Sequence, residues 1–193
     1  MSVQKAGSIE INNRRSFTVA EYERMGQSGI LSEDERVELV NGEIIKMSPI
    51  GEPHAACVAI LTQLITLRLR LSAIVWVQNP IVLNDYSEPQ PDLAVLRPRA
   101  DFYRQAHPRP EDVLIVIEVS DSTLSFDRKV KLPLYARAGI PEAWLVNIPE
   151  ERIEVYGDPV NGEYRTVGSY ARGRRLQSRT LAALRVSVSK VLG

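Results

Sequence analysis

Cysteine is nearly absent from this chain. Cys57 stands alone, so no internal disulfide can form and a multi-cysteine zinc site is excluded. There are only two tryptophans, which leaves no aromatic-rich platform of the kind that holds sugars. Charge of one sign is also missing: 24 basic and 24 acidic residues cancel. A polyanion partner must therefore be met by local patches rather than by an overall field. Three clusters qualify by sequence: Arg14-Arg15, Arg68 with Arg70, and Arg172 with Arg174 and Arg175. No apolar run approaches the roughly 20 residues that span a bilayer. Met1 to Arg15 is polar and lacks the apolar centre of a signal peptide. The expectation is a cytoplasmic protein that does not enter a membrane.

What is present points to a folded domain. With 193 residues, 44% of them hydrophobic, the chain can bury a core without disulfides or a structural metal. Residues 1–15 read as a flexible arm and 16–193 as one domain. Thr18 with Glu21 three residues later forms a capping box for a short helix. Arg36 to Met47 alternates around Asn41-Gly42, a dipeptide suited to a type I′ turn, and reads as a hairpin. From His54 to Leu71 the spacing turns helical, with apolar residues on two faces, as for a helix packed on a sheet and on a second partner.

Strands are expected at Val75–Leu83, with Pro80 marking an edge or bulge, at Asp92–Leu96, and at Val113–Ser120. The last is apolar enough to be covered on both faces. Asp127 to Ala138 reads as a helix with Ser125 as N-cap, Gly139 as stop and a bend at Pro133. Ala143–Asn147 is a further strand. Arg152–Tyr156 and Glu163–Val167 form a second hairpin around Asn161-Gly162. The tail after Arg172 has no clear pattern. The order predicts an α/β fold, a mixed central sheet flanked by helices with a hairpin near each end.

Two acids stand at strand ends. Asp92 opens one apolar strand and Glu118 closes another. Taken singly, each is better explained as a solvated strand end. Together on neighbouring buried strands they would repel, and a divalent cation relieves that cost. Oxygen-only ligands suit magnesium or manganese. Alternation puts Glu118 and Ser120 on one face. Asp127, Lys131 and Tyr135, spaced by four, share a helix face, so Lys131 can lean toward the strand ends; otherwise it is a surface lysine paired with Asp127. His54 sits in a first helical turn, where free N–H groups favour an anion, or is simply polar. Glu38 either lies on the exposed face of its hairpin or points into a polar site.

The stretches RVELVNGEI, His54 before a long helix, PQPDLAV, VIEVSDST and FDRKVKLPLYARAGIPEAWLVN together resemble the Uma-type restriction-endonuclease family of the PD-(D/E)XK nuclease superfamily. The resemblance runs from about Phe17 to Asn147. It implies a restriction-endonuclease-like fold, with Asp92 as the PD aspartate, Glu118 as the second acid, Lys131 as a lysine migrated from strand to helix, and Glu38 as an N-terminal acid. His54 matches a recurrent position. Ser120 departs from the motif, which has lysine there.

The leading expectation is a magnesium-dependent endonuclease that hydrolyses phosphodiester bonds in DNA, acting as a homodimer. Asp92 and Glu118 are its metal ligands; Lys131, Glu38 and His54 complete the candidate catalytic set. One alternative is a catalytically inactive nuclease-fold module that binds nucleic acid or protein. A glycosidase with paired carboxylates is the other. Dependence on metal separates the three. Lys131→Ala is expected to abolish cleavage with little change in thermal stability, and Lys129→Ala to do little.

Overall fold

A computed structural model describes residues 14–32 and 34–193. Of the expected N-terminal arm, residues 1–13 lie outside the described residues. The first helix, α1 (Val19–Gln27), carries the expected capping box: the Glu21 N–H donates to Thr18 Oγ1 at 3.2 Å and the Thr18 N–H to Glu21 Oε2 at 3.0 Å. The hairpin β1 (Val37–Val40) and β2 (Glu43–Lys46) turns at Asn41-Gly42, with φ of 50° and 79° at the two residues. That is the left-handed pair a type I′ turn needs.

Helix α2 (Glu52–Leu69) leads through a short 3-10 turn into a six-stranded sheet. Its strands are β3 (Ile74–Val77), β4 (Leu93–Leu96), β5 (Val113–Ser120), β6 (Glu142–Asn147), β7 (Arg152–Val160) and β8 (Glu163–Ala171). They lie in sequence order. Only β5 and β6 run parallel, because the helical crossover between them, α3 (Leu124–Arg137), returns the chain to the same end of the sheet. A small ribbon of β9 (Arg175–Gln177) and β10 (Arg185–Ser187), then α4 (Val188–Leu192), accounts for the tail that had no sequence pattern.

The sheet is covered on both faces. Ile115, Ile117 and Val119 of β5 pack with Val58, Leu61 and Ile65 of α2. Val116 packs on the other face with Leu132, Leu134 and Tyr135 of α3. Glu118 and Ser120 share that second face by strand alternation, so the two polar residues of β5 meet α3, not α2. The second face of α2 meets α4 in part, but Leu67 and Leu71 are exposed. The stretch Glu52–Ser72 is long and apolar enough by length and composition to cross a membrane, which corrects the expectation that no stretch reaches that size. Five of its residues nonetheless lie buried against the rest of the chain.

Three boundaries differ from the sequence reading. The strand expected to reach Leu83 stops at Val77, because Gln78 takes a left-handed φ of 48° and Trp76 donates from its indole to the Pro80 carbonyl at 3.1 Å. α3 starts at Leu124, so Ser125 lies inside it instead of capping it; the segment runs Leu124–Phe126, a π turn Asp127–Lys131, then Leu132–Arg137. The bend expected at Pro133 is this π turn. The Leu132 N–H reaches back five residues to the Asp127 carbonyl, and the widened turn relieves the clash that proline makes with the preceding turn. The second hairpin is longer than expected at both arms, since β7 and β8 continue the main sheet.

Away from the cleft described below, Glu88 is buried where it bridges Leu39 of β1. Its Oε1 lies 3.7 Å from His107 Nε2, and Oε2 has no partner among the described residues. Burial first, and the nearby Glu23 second, push its carboxyl up to about 7. A carboxyl raised on folding holds a proton that the unfolded chain has lost, so stability falls as pH rises from about 4.5 to about 7. Glu88→Gln is expected to raise the thermal midpoint by about 2–4 °C at pH 8 and to lose that advantage at pH 4.5. Melting curves at the two pH values check this; equal midpoints at pH 8 would show that the charged carboxylate carries no cost.

Candidate active site

A cleft of about 340 Å³ opens where the first hairpin, the start of α2, the ends of β4 and β5, and the start of α3 converge. All five residues singled out from the sequence line it: Glu38, His54, Asp92, Glu118 and Lys131. Asp92 lies one residue before β4. The antiparallel register pairs Leu93 with Ile117, so the next step outward sets Asp92 opposite Glu118. Directly opposed positions share a face and keep their Cβ atoms roughly 5 Å apart.

Asp92 is closely held. Its Oδ2 accepts the Val119 N–H at 2.9 Å and lies 3.0 Å from His54 Nε2, and Oδ1 accepts from the Gln78 amide at 3.3 Å. Burial opposes its charge, but His54 and the Val119 N–H outweigh that and hold its carboxyl below the usual range. The same contact raises His54, so the imidazole keeps its proton to higher pH; burial and Arg36 work against it. His54 is thus a partner of the first acid, while its buried Nδ1 has no hydrogen-bond partner among the described residues.

Glu118 is 3% exposed. Its Oε1 takes both the Tyr135 hydroxyl and Lys131 Nζ, the latter at 3.1 Å. Burial pushes its carboxyl up to about 8; Lys131 pulls it down, and the carboxylates of Asp127, Asp92 and Glu38 push it further up. Lys131 is 4% exposed and also lies 3.1 Å from Glu38 Oε2. Burial disfavours its charge, yet the two carboxylates more than offset this and hold the ammonium above the ordinary lysine range. The reading of Lys131 as a surface lysine paired with Asp127 is therefore excluded. Glu38 points into the site, resolving the choice its alternation left open, and its Oε2 also accepts the Gln90 N–H at 2.9 Å.

Ser120 stands where the strand motif has lysine. Its hydroxyl donates to Asp127 Oδ2 at 2.7 Å, and Thr123 donates to the same oxygen at 2.6 Å. The ammonium that the strand does not supply comes instead from the π turn of α3, in which Asp127 and Lys131 are both buried. Such turns are frequent at functional sites.

Residues 19–189 match the Uma2 family, described as "Putative restriction endonuclease". The chain belongs to the Uma2 family. Membership supports a nuclease, a hydrolase of phosphodiester bonds in nucleic acid. No curated protein matches the chain. Among solved structures, a "putative nuclease belonging to DUF820" from Anabaena variabilis is similar, with a TM-score of 0.71 at 15% identity, covering 91% of this chain and 97% of that one. At that identity the likeness shows a shared restriction-endonuclease-like fold.

The donor set of this Uma2 chain is all oxygen, the kind that hard divalent cations take. Glu38, Asp92, Glu118 and Asp127 face one ammonium and one imidazole. Four carboxylates against two cations leave an excess of two negative charges when all are ionised, the charge of one such ion. Both contacts to Glu118 fall on Oε1, and Asp92 is its cross-strand neighbour. Among the described residues no group of three or more acidic, histidine or cysteine side chains is arranged to hold a metal ion, so the protein's own ligands would be few. A hard divalent cation held by few protein oxygens completes its shell with water.

Sequence reasoning missed Asp127 and Tyr135 as members of the site, although their spacing with Lys131 was the available signal. It also missed Gln78, Gln90 and Arg36, which have none. The three basic clusters it favoured do not line the cleft. Arg14 and Arg15 pair with Glu43 and Glu21, Arg172 pairs with Glu151, and Arg68 and Arg70 lie at the far end of α2 from His54. Among the described residues Phe126 is the one phenylalanine, tyrosine or tryptophan lining the cleft, which gives no stacking platform for a sugar.

Proposed function

We propose that this chain is a magnesium- or manganese-dependent endonuclease that hydrolyses DNA. The single observation that carries the reading is the facing pair Asp92 and Glu118 at the mouth of two buried strands, with the Lys131 ammonium 3.1 Å from Glu118. Asp92 and Glu118 would hold the ion, which supplies Lewis acidity toward the phosphate and a water of lowered pKa.

The remaining chemistry falls to the chain's own groups. Lys131 offers a positive charge to the phosphate oxygen as negative charge builds there. Tyr135 fixes the Glu118 carboxylate by donating its hydroxyl. His54 fixes Asp92, and its imidazole stays beside the reacting centre as a proton donor. Glu38 keeps Lys131 pointed at the cleft and can order the attacking water through its free lone pairs. A duplex has two strands, so the reading includes two copies of the chain, one centre per strand.

The test is plasmid digestion by wild type and Asp92→Ala with magnesium, with manganese and with a chelator. Wild type should cut with either ion and not with the chelator, and Asp92→Ala should lose at least about a hundredfold, more than a residue behind a ligand typically costs. Calorimetry of manganese binding should show weaker binding in the variant. Linear product formed alongside nicked plasmid supports paired centres, and nicking alone removes the homodimer. A wild type that cuts no nucleic acid with either ion would sink the enzyme reading in favour of a binding module.

A further inference from the structure

Five carboxylates line the cleft, and a phosphodiester chain carries negative charge at every step. The ion and Lys131 answer the charge at the cut bond. They leave unanswered how the neighbouring phosphates are tolerated. The wall formed by Asp121, Ser122 and Thr123 has an acid and two hydroxyls. The first hairpin contributes Arg36 and Lys46 to the lining.

We infer that the β1–β2 hairpin is the phosphate-binding wall of the cleft, with Arg36 holding a phosphodiester group next to the one that is cut. The inference rests on the nuclease reading and deepens it. Arg36 and Glu38 are two residues apart on one extended segment, since the Met47 N–H still pairs with the Arg36 carbonyl at 2.9 Å. They therefore face the same side, separated by about 7 Å along the strand. Glu38 contacts Lys131 at the centre, so Arg36 lies one short step outward from the reacting group.

Arg36 is exposed, and its Nη1 donates to the Ser48 carbonyl at 3.1 Å. That bond lays the side chain along the hairpin edge and leaves four of its five N–H groups for an anion. Among the described residues it makes no ion pair with a carboxylate. It lines the same cleft as His54, Asp92 and Lys131, so it stands close to the centre. Lys46, opposite Val37 in the register, alternates to the other face from Glu38 and Arg36, so the contact is assigned to Arg36 alone.

The test is binding of a labelled duplex oligonucleotide across a salt series, with calcium present to shield the carboxylates, alongside cleavage kinetics in magnesium. Arg36→Ala should weaken binding roughly tenfold or more and reduce the salt slope by about 1, for every sequence tried, with KM raised and kcat little changed. Arg36→Lys should restore most of the slope, and Lys129→Ala, on the exposed side of α3, should alter nothing. If Arg36 only ties the hairpin to Ser48, Arg36→Ala lowers the thermal midpoint while affinity and slope stay at the wild-type values; that result overturns the inference and leaves the nuclease standing. If wild type binds neither DNA nor RNA at low salt, the nuclease reading fails, and the inference with it.

Discussion

Lys131→Ala is expected to slow cleavage roughly a hundredfold to a thousandfold and to lower the thermal midpoint by roughly 10 °C. The first effect follows from position. The ammonium lies 3.1 Å from Glu118 Oε1 and 3.1 Å from Glu38 Oε2, the only lysine so placed among the described residues, while Ser120 offers no cation. The second follows from burial. Removing one partner of a buried ion pair leaves the others charged without compensation, at a cost of about 3–5 kcal/mol. The sequence reading expected little change in stability; the 4% exposure of Lys131 points instead to a loss. Lys131→Met keeps the stem's packing and should retain more of the melting temperature while losing as much activity. Folded Lys131→Met that cuts at the wild-type rate would remove the lysine from the chemistry.

The elements that positioned the site were readable because short-range rules decide them. Asn41-Gly42 and Asn161-Gly162 adopt the left-handed pair that their identities favour, and period-2 alternation correctly put Glu118 and Ser120 on one face of β5. The i, i+4 spacing of Asp127, Lys131 and Tyr135 was enough to aim a helix lysine at a strand. Long-range geometry was not readable in the same way. Gln78 breaks its strand through a left-handed φ that glutamine does not announce, and it then serves Asp92 as a hydrogen-bond donor. Glu38 could have faced either way until the hairpin's placement against Gln90 was known. The tail's ribbon depends on a buried Glu142 that collects Ser178, Thr180 and Trp144, and no local pattern encodes that meeting.

Glu118→Gln is expected to move activity and stability in opposite directions. The amide keeps the shape of the side chain and can still accept the Tyr135 hydroxyl, so the packing of α3 on β5 should persist. The charge it removes is the one most crowded in the cleft: Asp127, Asp92 and Glu38 all disfavour it, and burial disfavours it more. Lys131 retains Glu38 at 3.1 Å, so the ammonium is not stranded. The carboxyl is raised on folding to about 8, so the folded chain holds a proton the unfolded chain loses above about 4.5. The destabilising cost therefore grows as pH rises from about 4.5 and is complete above about 8. Glu118→Gln should accordingly melt higher than wild type at pH 8.5 and level with it near pH 4.5, each kcal/mol relieved appearing as about 2–4 °C. The same change takes a negative ligand from the divalent site and leaves Asp92 without its opposed partner. Cleavage should fall at least about a hundredfold, beyond what the loss of a supporting residue behind a ligand typically costs, and manganese binding should weaken with it. Protein stability bought at the expense of a strained, charge-crowded site is a common trade-off. A variant that melts lower than wild type at pH 8.5 would mean the Glu118–Lys131 attraction outweighs the repulsion among the four acids. One that still cuts at the wild-type rate would remove Glu118 from the metal site.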